Sequence, residues 1–291
     1  MSNKASVWLR DHNPTTIVVL ALAMAVAGSA NAEQISQATT SRQAREDALS
    51  LIPYDKLTAS MQTQLKQVVT HPSIYRRLPT ESIDADPDLH VFLVRHPEII
   101  VDIWRLMGAS SVSLTRTGQF SVRAVDGMGT HADIDLVYGM PDLQVLYAEG
   151  TYEGPIFKAK VHARCVMLLK SVYTRKPSGK INIRSTLDIF VQFQNVGAAL
   201  LAKALQKMVG QSVDYNFREI MRFIGRLSDV AEKNGAGVER LAGKLTQVQP
   251  DVRRRFRDLA RIVHHRSLLR EAAMRASNAQ PPNRQPSVAQ D

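Results

Sequence analysis

Apolar positions change their period twice along this chain. Leu57, Met61, Leu65 and Val68 recur at helical spacing over 55–69, and Pro72 ends that helix. Pro87 and Pro97 suit the first turns of two short helices. Ile99, Ile100, Ile103, Trp104 and Met107 then form one apolar face, with Gly108 as the stop. No strand is read before Thr80. From Ser110 the period becomes two. Phe120, Val122 and Ala124 alternate with polar residues, as do Ala132, Ile134, Leu136 and Tyr138. Leu143, Val145 and Tyr147 follow, then Val161, Ala163, Cys165, Met167 and Leu169. The last alternation carries Ile181, Ile183, Ser185, Leu187, Ile189, Val191 and Phe193. Lys176-Pro177-Ser178-Gly179 is a hairpin signal, and three further links are rich in Gly, Pro and Asp. Five or six strands joined by short turns predict an antiparallel meander with one apolar and one polar face.

After Phe193 the helical period returns. Ala198 to Val209 is strongly apolar, Gly210 interrupts it, and Asp214 reads as the N-cap of the next helix. That helix carries Phe217, Ile220, Met221, Ile224, Leu227 and Ala231 on one stripe and ends at Asn234-Gly235. A further helix places Val252, Phe256, Leu259 and Val263 on one side. The fold class expected is therefore α+β. A curved meander is preceded by helices and crossed by a long C-terminal helix.

The two ends of the chain change this picture. Lys4 and Arg10 precede an uncharged apolar run over 17–26, and Ala30-Asn31-Ala32 supplies a small-x-small site. This is the pattern of a secretory signal peptide cleaved after Ala32, the run being short of the roughly 20 residues that span a bilayer. Export to the periplasm or the exterior is expected, with no transmembrane span in the mature chain. The chain divides into this signal (1–32), a flexible polar lead-in with helices (33–85), an α+β domain (86–235), a basic helical extension (236–275) and a disordered tail (276–291). The formal net charge is +10, and the stretch from Val252 to Arg275 holds eight arginines against two acids. Arg253, Arg254, Arg257 and Arg261 are candidates for contact with an anionic envelope surface. The alternative is a solvated face over an apolar dock. Nucleic acid is a poor partner for an exported chain.

Residues 110–234 resemble the START-like helix-grip superfamily. The resemblance lies in element order: consecutive strands, then INIRSTLDIFVQFQ passing into VGAALLAKALQKMVG and SVDYNFREIMRFIGRLSDVAEKN. It implies a helix laid across the sheet and, in many members, an apolar ligand held between them. It carries no short motif from which site residues transfer.

Conventional chemistry finds little support. His131, Asp133 and Asp135 share one strand face, which suits either a divalent metal or ion pairs with Arg123, Arg164 and Arg184 on neighbouring strands. Ion pairing is the expectation, and no cofactor is implied. No Gly-x-Ser-x-Gly elbow occurs. The single cysteine, Cys165, sits at an apolar strand position, where it reads as a small hydrophobe. An enzyme would need inward polar groups, and Tyr138, Cys165 and Ser185 are the candidates. The expected function is non-catalytic binding of a lipid or other apolar ligand between sheet and helix. Candidate lining residues are Tyr138, Cys165, Met167, Ser185, Leu187, Ile189, Phe193, Leu201, Leu205, Phe217 and Met221. The other reading is a structural or assembly protein of the envelope, with a filled core and a basic contact tail.

Overall fold

A computed structural model describes residues 37–153, 160–194, 197 and 211–279. The expected signal sequence, most of the apolar run after Phe193 (with Leu201 and Leu205) and the tail from 280 lie outside the described residues.

The chain opens with helix α1 (Arg42–Ser50), a 3-10 turn (Tyr54–Lys56) and helix α2 (Ala59–Thr70). Ser41 and Thr58 cap the two helices by accepting from the amides of Ala44 and Met61. The polar lead-in is therefore partly helical. It escaped the sequence reading because its buried stripe is only Ala44 and Ala48. Two short strands follow, β1 (Ile74–Arg77) and β2 (Glu81–Asp84). β1 corrects the expectation of no strand before Thr80. Its Arg76 and Arg77 are largely buried through pairing with Asp214 and Asp188, so the usual alternation of apolar and polar residues is lost.

Asp86 accepts from the amides of Asp88 and Leu89, starting α3 (Pro87–Arg95), and Pro97 starts α4 (Pro97–Leu106). Gly108 takes the left-handed conformation just past α4. Six strands then form a meander: β3 (Ser113–Arg116), β4 (Ser121–Val125), β5 (Thr130–Gly139), β6 (Leu143–Tyr152), β7 (Val161–Arg175) and β8 (Ile181–Gln194). All ladders are antiparallel in the order β1-β8-β7-β6-β5-β4-β3, and β2 pairs with β8 beside β1. Three helices complete the chain: α5 (Gln211–Lys233), α6 (Gly235–Lys244) and α7 (Pro250–Ala279). Asp214 lies in the first turn of α5 rather than capping it. Helix α7 continues to Ala279, through the first residues of the expected disordered tail. Among the described residues no helix is long and apolar enough to cross a membrane.

Both faces of the sheet are buried over part of its area, which corrects the expectation of one apolar and one polar face. Cys165, Leu169, Ile189 and Val191 face a large core built with α3, α4, α5 and α7. Val145, Tyr147, Val166, Leu168 and Phe190 face a second core under α1 and α2. The continuous apolar runs Cys165–Leu169 and Ile189–Val191 are what two-sided burial requires. Helix α7 belongs to the first core, with Val252, Phe256, Ala260 and Val263 buried there. The Phe92 and Phe256 rings stack 6.3 Å apart and 4° from parallel.

Candidate functional site

Between the first sheet face and helices α3, α4 and α5 lies a cavity of about 180 Å³. An apolar cavity of about 150 Å³ can stay dry and take up a benzene-sized molecule. The space here is therefore large enough for a compact apolar group. Ile134, Leu146, Met167, Leu187 and Ile189 supply the sheet wall. Phe217, Ile220, Met221 and Ile224 supply the wall from α5. Leu93, Ile100, Val101 and Trp104 close it from α3 and α4. Phe120 also lines it, although 56% exposed, and so marks its mouth.

Of the residues expected from sequence, Met167, Leu187, Ile189, Phe217 and Met221 line this cavity. Cys165 and Phe193 belong to the adjoining core and are not among the lining residues. Full burial pushes the Cys165 thiol far up, which makes it a poor nucleophile. Ser185 is buried and spends its hydroxyl on Ser171, 2.9 Å away. Tyr138 lies on the opposite face, against the second core. The register between β5 and β6 slips between Leu136 and Tyr138, leaving Val137 unopposed. That bulge breaks strict alternation, so Leu136 faces the cavity and Tyr138 does not. The lining residues of α3 and α4 were not identified from sequence. Their signal was present: every residue from Glu98 to Trp104 is buried, and such a helix is apolar nearly all round.

One end of the cavity is charged. Arg95 and Arg116 both line it. The Arg116 Nε and Nη2 donate to the two oxygens of Glu98 at 2.7 and 2.8 Å, and Nη2 also donates to the Arg95 carbonyl at 2.9 Å. Burial acts to push the Glu98 carboxyl up, but hydrogen bonds from His96 and Arg116 outweigh it and hold it below the usual range. Arg95 differs. Its Nη2 donates to the Gly139 carbonyl at 2.6 Å, while its Nε is buried without a partner.

A second polar group lies on the same helix as Arg95. His90 of α3 is fully buried, its Nδ1 3.1 Å from the Tyr173 hydroxyl, which donates to the Pro141 carbonyl. Nε2 has no partner, and burial lowers the imidazole pKa to about 4.

The polar strand residues pair with one another. Arg123 binds both oxygens of Asp133, Arg164 donates to Glu149, and Ser121 donates to Asp135. Among the described residues no three metal-binding side chains converge on one point. The four candidate arginines of α7 are not equivalent. Arg254 and Arg257 are exposed, Arg261 pairs with Glu239, and Arg253 is half-buried. No family model matches the chain, and no curated protein matches it either.

Proposed function

We propose that the protein binds a small apolar or amphipathic molecule in the cavity between its sheet and α5, without transforming it. The observation that carries this reading is the cavity itself: an apolar space beneath a long helix, with an exposed phenylalanine at its mouth. A structural protein with a filled core has no need of such a space, and its deletion of packing contacts costs stability. The order of elements from Ile74 to Lys233 supports a START-like helix-grip ancestry: two short strands, two helices, a six-stranded meander and a crossing helix. The N-terminal sequence supports export with cleavage after Ala32, which N-terminal sequencing of the protein recovered from cells tests.

The binding test uses native mass spectrometry of the purified protein, followed by calorimetric titration with octan-1-ol. Saturable binding is expected. Leu146→Trp fills the cavity and should abolish it while the thermal midpoint holds or rises. Equal binding by the variant would place the ligand elsewhere and end this reading.

A second reading concerns α7. Ile262, Leu268, Leu269 and Met274 are exposed on the same helix as the exposed Arg254 and Arg257. Exposed apolar and cationic residues on one helix suit an anionic lipid surface. Co-sedimentation with vesicles containing anionic lipid, but not with neutral vesicles, is the expected result. Equal partitioning would exclude it.

A further inference from the structure

The cavity is apolar along its length, and its charge is confined to one end. There Arg116 and Glu98 form a closed pair: both side chains are nearly fully buried, and the two charges neutralise each other. Among the described residues Arg95 has no such partner, and no carboxylate pairs with it. Its Nε–H is buried and unbonded. A buried donor on a charged group is costly to leave unmade, and the cost is recovered when an anion accepts from it.

Arg95 is held where a ligand would need it. Its Nη2 is anchored on the Gly139 carbonyl, at the end of β5 just past Leu136, which lines the cavity. Its own carbonyl is held by Arg116. Phe120, at the mouth, is tied to the same place, because its carbonyl accepts from the Leu136 amide. The fixed cation and the exposed aromatic therefore belong to one end of an otherwise apolar space.

We infer that the ligand is an anionic amphiphile: a compact apolar body in the cavity and one carboxylate-like group at Arg95. This rests on the binding reading above and adds to it the chemical class of the ligand. A volume of about 180 Å³ limits the enclosed body to a short chain or a small ring system, since pockets for drug-sized ligands run from about 300 to 1,000 Å³.

The test compares octanoate with octan-1-ol on the full mature chain at neutral pH by calorimetry. Octanoate should bind at least about tenfold more tightly, the equivalent of about 1.4 kcal/mol. Arg95→Gln keeps an amide donor for Gly139 and removes the charge. It should bring octanoate down to the level of octan-1-ol, with at most a small loss for octan-1-ol itself. Arg95→Lys should restore part of the preference. Equal binding of the two ligands by the wild-type chain overturns the head-group inference and leaves the apolar site standing, and this comparison needs no variant. A preference that survives Arg95→Gln also overturns it. If neither ligand binds, the cavity reading falls and this inference with it.

Discussion

Arg116 and Glu98 meet through two parallel hydrogen bonds, and the pair fastens the edge strand β3 to helix α4. With side chains 7% and 3% exposed, neither charge has water to fall back on. Removing one partner of such a pair costs about 3–5 kcal/mol, because the other is left buried and uncompensated. Glu98→Ala should therefore destabilise the protein by that amount in urea titration. The double variant Glu98→Leu/Arg116→Met should recover most of the loss. A double variant as unstable as the single one would show that the pair sets local geometry beyond its charges.

Helix α7 is expected to be indispensable despite its basic character. Phe256 is fully buried against Phe92, so Phe256→Ala should cost about 3–5 kcal/mol. Arg254, exposed on the same helix, should tolerate replacement by serine within about 0.5 kcal/mol. A chain ending before Pro250 should not give a cooperative thermal transition. Deletion of α7 consequently says nothing about surface attachment, which needs substitutions at Arg254 and Arg257 instead.

His90 gives stability a definite dependence on pH. In the unfolded chain it takes a proton near its ordinary pKa of 6.5, whereas in the folded protein burial holds that value near 4. Between those values the unfolded state binds more protons, so stability falls as pH falls. Its contribution is complete above about pH 6.5 and reaches a loss of up to about 3 kcal/mol near pH 4. His90→Phe should flatten this part of the profile. Guanidinium titrations at several pH values check it, and an unchanged slope would remove His90 as the cause.

Two glycines of α6 should respond in opposite directions. A Cβ on Gly235 would sit 2.8 Å from the His264 Cβ, so Gly235→Ala must push α6 away from α7 and lower the thermal midpoint. Nothing lies within 4 Å of the same atom on Gly243, which is exposed and helical. Gly243→Ala should raise stability by up to about 1 kcal/mol. Equal effects at both sites would mean that α6 can shift freely over α7.

Much of the fold was legible in the periodicity. The strands 120–193 and the stripe Phe217–Ala231 read correctly because one face of each meets a single large core. Where other forces set the sequence, the pattern failed. β1 hid behind two partly buried arginines, whose burial depends on Asp188 and Asp214, more than a hundred residues away. Helix α1 hid because it buries only alanines. Five cavity residues were readable from periodicity: Met167, Leu187 and Ile189 from strand alternation, Phe217 and Met221 from the helical stripe. Tyr138 was misplaced because a bulge is a property of the pairing of two strands, which one strand's sequence does not record. Arg95 carried no signal either, since its interest lies in having no carboxylate partner among the described residues, which is visible only in three dimensions.

The contact between Arg266 of α7 and Asp86 at the head of α3 spans 180 residues, and it bears on how the molecule assembles. Hairpins such as β7–β8 close small loops and can pair within microseconds. The joining of α3 to α7 must wait until almost the whole chain is present, and contacts of such long range slow folding. Synthesis and assembly thus run on different clocks. The sheet can form from the middle of the chain outward, while the wall on its α3, α4 and α5 side locks only when the last helix arrives.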